Sequence, residues 1–115
     1  MKLGTLMAFI AVIALGQLPS TANAFECPIH FGQAQAAIDK VTKDMKGMKG
    51  KMSKRDHALV HALLDDAKMH LAGAKHNHEK PQGKYDHARA IAKADAAKGY
   101  ATAADLLHFK YMQKK

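Results

Sequence analysis

From Phe31 onward, apolar side chains return at alternating steps of three and four residues: Phe31, Ala34, Ile38, Val41, Met45, Met48 and Met52. That spacing predicts one face of an amphipathic helix. Pro28 suits the first turn of such a helix, and Gly47 and Gly50 weaken its far end, so regular helix is expected from about Pro28 to Lys46. Ser53-Lys54-Arg55-Asp56 has the form of a capping box, the hydroxyl and the carboxylate each satisfying one early backbone N–H. A second helix is expected to start there. Its apolar face is Val60, Leu63, Leu64, Ala67, Leu71 and Ala74, and it is expected to end near Lys75, because His76-Asn77-His78-Glu79-Lys80-Pro81-Gln82-Gly83 has the composition of a turn.

A third, alanine-rich helix is expected over about Lys84 to Met112, with Ala88, Ala92, Ala96, Gly99 and Ala103 as a seam of small residues that lets helices approach closely. No alternating run of β-branched residues follows Phe25, so no strand is predicted. The fold class is all-α. Short connections make successive helices antiparallel neighbours, and the simplest architecture is an up-down-up bundle of three helices, with a four-helix form by dimerisation as the alternative.

The beginning of the chain is different in kind. Lys2 supplies a positive charge, Leu3 to Leu18 is uncharged and mostly apolar, and Ala22-Asn23-Ala24 follows the helix-breaking Pro19. These are the parts of a secretion signal ending at Ala24. The apolar run is shorter than the roughly 20 residues needed to cross hydrocarbon, which argues against an uncleaved anchor. A lipid anchor on Cys27 is also disfavoured, because Ala24-Phe25-Glu26 is not the small-residue box such processing uses. The chain thus divides into a signal peptide, residues 1–24, and one helical domain, residues 25–115, placed in the periplasm or outside the cell.

Export changes the meaning of charge and cysteine. Lysine and arginine outnumber aspartate and glutamate by 18 to 10, for a formal net charge of +8. In an exported protein without interleaved aromatic and basic residues or zinc-finger spacing, this is a basic surface rather than a nucleic-acid interface. It could favour anionic lipid or envelope polymers, and it works mildly against gathering cations, so a metal site would need strong local ligands. Cys27 is the only cysteine, so no internal disulfide can brace this small domain. Its thiol could pair between molecules, bind a metal or be buried.

All eight histidines lie after Ala24. At about 1.5 Å per residue, helices of these lengths in an up-down-up bundle sort them to two ends. Cys27, His30, His76, His78 and His87 are expected at one pole; Met45, Met48, Met52, His57, His61, His108 and Met112 at the other, with His70 between. His57 and His61, spaced i, i+4, form a two-imidazole clip on one helix face, and Asp65 stands a turn further on as an outer acceptor for His61. His76, His78 and His87 could offer rings to one ion across a turn, and Cys27 with His30 could be a thiolate-imidazole pair. Thioethers select Cu(I), while imidazole suits copper, zinc and nickel, so a Met/His mixture favours copper. The same methionines at helical spacing can equally be core. Gly-rich phosphate loops, a nucleophile elbow, H-E-x-x-H and C-x-x-C-H are all missing from the sequence, so no enzymatic site is predicted.

His57-Ala58, His61-Ala62 and His87-Ala88, with Asp105-Leu106-Leu107-His108 in an alanine-rich setting after a signal peptide, resemble the small periplasmic His-rich metal-binding proteins. The resemblance covers about half the chain. It implies a helical bundle that binds copper and other divalent ions for buffering or delivery; this chain departs from it in having fewer histidines, more methionines and Cys27. The functional expectation is an exported, non-enzymatic metal-binding bundle, copper preferred, zinc or nickel next. The alternative is a helical interaction module for an envelope partner or an anionic surface.

Overall fold

The structure, a computed structural model, describes residues 21–83 and 85–113, with side chains from residue 26 to 110 except Lys84. Three helices make it up: α1, Thr21–Gly47; α2, Lys54–Glu79; and α3, Asp86–Gln113. Among the described residues there is no strand, and the protein is all-α. The apolar run Leu3 to Leu18 lies outside the described residues. Ala22 to Ala24 fall inside α1, which starts seven residues before Pro28. The expected start at Pro28 is therefore too late: proline removes one N–H and crowds the carbonyl four residues back, but helix is present on both sides of it.

Two turns differ in their logic. After α1, Met48 N–H donates to the Met45 carbonyl at 3.1 Å and Lys51 N–H to the Met48 carbonyl at 2.9 Å. Gly50 turns the chain with φ of 81°, a left-handed conformation that glycine adopts without steric cost. At the α2 start, Ser53 Oγ accepts the Asp56 N–H at 3.1 Å and donates to Asp56 Oδ2 at 2.7 Å. The carboxylate thus engages the hydroxyl, and the reciprocal backbone half of the expected capping box is replaced by this side-chain bond.

The end of α2 is the larger correction. His76, Asn77 and His78 form its last turn, and Lys80 N–H closes it on the His76 carbonyl at 2.9 Å. The helix continues because Pro81, which cannot extend it, lies beyond Glu79. Asp86 then opens α3, its carboxylate accepting the backbone N–H groups of Gln82 and, at 3.2 Å, Gly83. The Gln82 N–H foremost, with the Gly83 N–H and the charges of Arg89 and Lys93, holds the Asp86 carboxyl below its ordinary pKa, against the opposing effect of burial.

All three helix pairs touch. Between α1 and α3 the partners advance together: His30 with Asp95, Gln33 with Lys98 and Lys40 with Asp105. Between α2 and α3 they run oppositely: His78 with His87, and His70 with Tyr100. The core takes Ala34, Ile38, Val41, Met45, Met48 and Met52 from α1 and the loop after it, and Val60, Leu64, Ala67 and Leu71 from α2. The α1 stripe is thus the core face, with Phe31 packed at its margin.

The seam of α3 is Ala90, Ala94, Ala97, Ala101 and Ala104, all fully buried. It is not the expected Ala88-Ala92-Ala96-Gly99-Ala103 set, whose members are exposed or half-buried. Small side chains on both faces leave the sequence without a hydrophobic contrast to select between them. The burial of small alanines lets α3 lie close against its neighbours.

Candidate metal centre

Each helix contributes one donor at the end where α2 turns into α3. Cys27 comes from α1, His78 from the last turn of α2 and His87 from the first turn of α3. One ligand atom of each lies within 4.8 Å of the others. Cys27 is fully buried, and its thiol donates to the His87 carbonyl at 3.6 Å. Burial is the main reason its pKa is raised, with Glu26 adding to the effect and a backbone hydrogen bond opposing it. A cation entering there would favour the thiolate and displace the proton.

Both imidazoles make ring contacts. His78 meets Phe31 edge-on, centroids 5.5 Å apart and planes at 85°. It meets His87 at 5.4 Å and 71°. The Nδ1 atoms of His78 and His87 are both buried with no hydrogen-bond partner among the described groups. Buried ring nitrogens in that condition lose the water they would bond when exposed, a cost that a bound ion would offset. A thiolate and two imidazoles are a donor set suited to Cu(I) or Zn(II).

The other residues expected at this pole do not join the trio. His30 Nδ1 sits 2.6 Å from Asp95 Oδ1 on α3. That contact fixes the ring as half of an α1–α3 tie. His76, in helix rather than in a turn, is exposed and lines an open cavity with Asn77, Lys80, Arg89 and Lys93.

At the opposite end, Met45, Met48 and Met52 belong to the core cluster. Met45 also borders an open cavity with His57 and His61. The rings of His57 and His61 lie close, centroids 4.5 Å apart. Asp65 pairs with Lys68 at 3.8 Å. His108 is buried and gathers with Asp44 and Asp105, with ligand atoms within 4.8 Å. Asp44 was not foreseen; its i, i+4 spacing from Lys40 was the available signal.

An ammonium already serves that acidic pair. Lys40 Nζ is 2.7 Å from Asp105 and 3.0 Å from Asp44. Those bonds, Asp105 first, raise the Lys40 pKa above its ordinary value. The side chain of Met112 lies outside those described. His70 stacks on Tyr100, rings 5.1 Å apart and 10° from parallel.

Among the described residues, no helix is long and apolar enough to cross a membrane. Comparison with protein-family models, curated proteins and solved structures finds no match, so the donor trio stands on its own geometry.

Proposed function

We propose that this protein is an exported metal-binding bundle that sequesters or delivers a transition-metal ion, copper preferred, through Cys27, His78 and His87. In this reading residues 1–24 are a cleaved signal peptide, and residues 25–115 act as an antiparallel up-down-up bundle in the periplasm or outside the cell. The observation that carries it is the convergence of three donors, one per helix, with two buried imidazole Nδ1 atoms lacking partners. Because the donors come from three helices, one ion would tie all three together at this end. Among the described residues three donors gather here; for a four-coordinate ion such as Zn(II) that leaves one position open, which suits transfer to a partner better than a closed structural site does.

The deciding experiment is titration of the purified protein with Cu(I), Cu(II) and Zn(II), in parallel with Cys27→Ser. One equivalent bound by the parent, with a thiolate-to-metal absorption band, is expected, and both are lost in the variant. Stoichiometric binding unchanged by Cys27→Ser would refute this centre. Copper preference is tested by competition, since thiolate and imidazole also suit zinc.

A second reading rests on a different surface. Leu106 and Phe109 are 62% and 53% exposed and border an apolar groove with Leu63 and Leu107, as an interaction module would. Its signature would be association with an envelope protein that survives removal of metal.

A further inference from the structure

The cavity at the α1–α2 end has a chemistry unlike that of a metal centre. Its floor is apolar: Met45 and Leu64 are 6% and 2% exposed and both line it. Thr42 lines the same wall, and its hydroxyl is engaged by the Ile38 carbonyl at 2.8 Å. The rim is cationic. Lys46, Lys49 and Lys68 border the opening and no carboxylate does. Lys68 has a neighbour in Asp65, at 3.8 Å, with Asp65 outside the lining. Among the described residues no ion pair engages Lys46 or Lys49. His57 and His61 stand at the edge as further hydrogen-bond donors. The open volume is about 560 Å³, within the roughly 300–1,000 Å³ of small-molecule sites.

We propose that this cavity binds a single-chain amphiphile with a carboxylate head, the hydrocarbon lying on Met45 and Leu64 and the head between Lys46, Lys49 and the imidazoles. Charge complementarity selects the occupant: three ammonium groups around an apolar floor favour an anionic head and oppose a cation, including a metal ion at His57 and His61. An aliphatic tail matches the floor, where a small hydrophilic anion would leave apolar surface wet. This site is independent of the Cys27 centre, which lies at the other end of the bundle.

The test uses the purified protein and three twelve-carbon probes below their micelle concentrations: dodecanoate, dodecyl maltoside and dodecyltrimethylammonium. Calorimetric titration should give one equivalent of dodecanoate bound and little or no binding of the cationic probe. Lys46→Glu/Lys49→Glu, with circular dichroism confirming its helices, should weaken dodecanoate about tenfold or more. Both positions are exposed, so the fold does not depend on them. Cys27→Ser should leave dodecanoate binding unchanged, which separates this site from the metal reading. Equal binding of all three probes, undiminished affinity in the charge-reversed variant, or binding to anionic phospholipid vesicles without any to monomeric dodecanoate would each overturn the proposal.

Discussion

The rings of His78 and His87 meet edge to face across the α2–α3 turn, centroids 5.4 Å apart, and the Nδ1 atom of each is buried without a hydrogen-bond partner. Neither ring is placed by a polar contact at that atom. What holds them is helix: the last turn of α2, closed by Lys80 on His76, and the first turn of α3, fixed by Asp86. Donor placement is thus built into the backbone, with the Phe31 edge limiting how the His78 ring can turn.

Removing a donor should therefore act on metal more than on fold. His87→Ala and His78→Ala are each expected to weaken the tightest metal equivalent by more than the about 10–100-fold that loss of an outer partner costs. Alanine is the best helix former, so helicity should persist. Competition against a chelator of known affinity reads the first, and far-UV circular dichroism the second. An affinity that survives both changes would mean the trio holds no ion.

Because the three candidate donors come from three helices, a metal held by them should stabilise the whole bundle. A one-site ligand at about a hundred times its Kd adds about 2.7 kcal/mol, and each kcal/mol moves the Tm of a domain this size by about 4–8 °C. The Tm should rise by roughly 10–20 °C on loading and return on chelation. Cys27→Ser should show little of this rise in a thermal scan under the same conditions.

Asp86 connects the turn to the site. Its carboxylate accepts from Gln82 and Gly83, and the next residue is His87. Asp86→Ala removes the single oxygen, Oδ2, that accepts both N–H groups, and is expected to lower stability because two turn donors lose their charged partner. It should also weaken metal binding through a looser first turn of α3. Chemical denaturation measures the first effect; the second should shrink when metal is saturating.

Much of this organisation was legible in the sequence because two helices carry contrast. Ile38 and Val41 on α1, and Val60, Leu64 and Leu71 on α2, alternate with lysine and aspartate, so only one face can be core. Alanine on many positions of α3 erased that contrast, and the buried set starting at Ala90 could not be told from the one starting at Ala88. For the site, chain topology brought Cys27, His78 and His87 to one end, but spacing alone could not show that His30 would be taken by Asp95. Nor could it show that His76 would turn outward, since that depended on helix continuing through a stretch with turn composition. The methionine stripe was ambiguous for a physical reason: a thioether meant for the core and one meant for copper need the same helical spacing.

Lys40 gives the bundle a pH signature on the alkaline side. Its ammonium is bonded to Asp105 and Asp44, and its folded pKa is raised above its ordinary value. A cation with a raised folded pKa contributes stability fully below its unfolded pKa, near 10.4, and the contribution is lost as pH rises through the higher folded value. Lys40→Met should remove that part of the alkaline loss while changing the stability little in shape between pH 6 and 9. The group is exposed, so the effect should be small and further reduced by salt. Denaturant midpoints across pH 9 to 11.5, for parent and variant, decide it; identical alkaline slopes would show that the pair contributes nothing.

The two ends of the molecule can be separated by one double substitution. His57 and His61 lie 4.5 Å apart, centroid to centroid, close enough to suggest a clip, yet Lys46, Lys49 and Lys68 surround their cavity. An ion there would have to overcome three ammonium groups, whereas the buried Cys27 centre offers a thiol that becomes anionic on binding. His57→Ala/His61→Ala should consequently leave the first metal equivalent at parental affinity and keep the thiolate absorption band. It should lower dodecanoate affinity modestly, because two hydrogen-bond donors are lost while the lysines remain. If the variant instead loses an equivalent of Cu(I) or Cu(II), the imidazoles bind an ion despite the lysine rim, and Met45, the thioether sharing their cavity, becomes the first residue to replace in finding the third ligand.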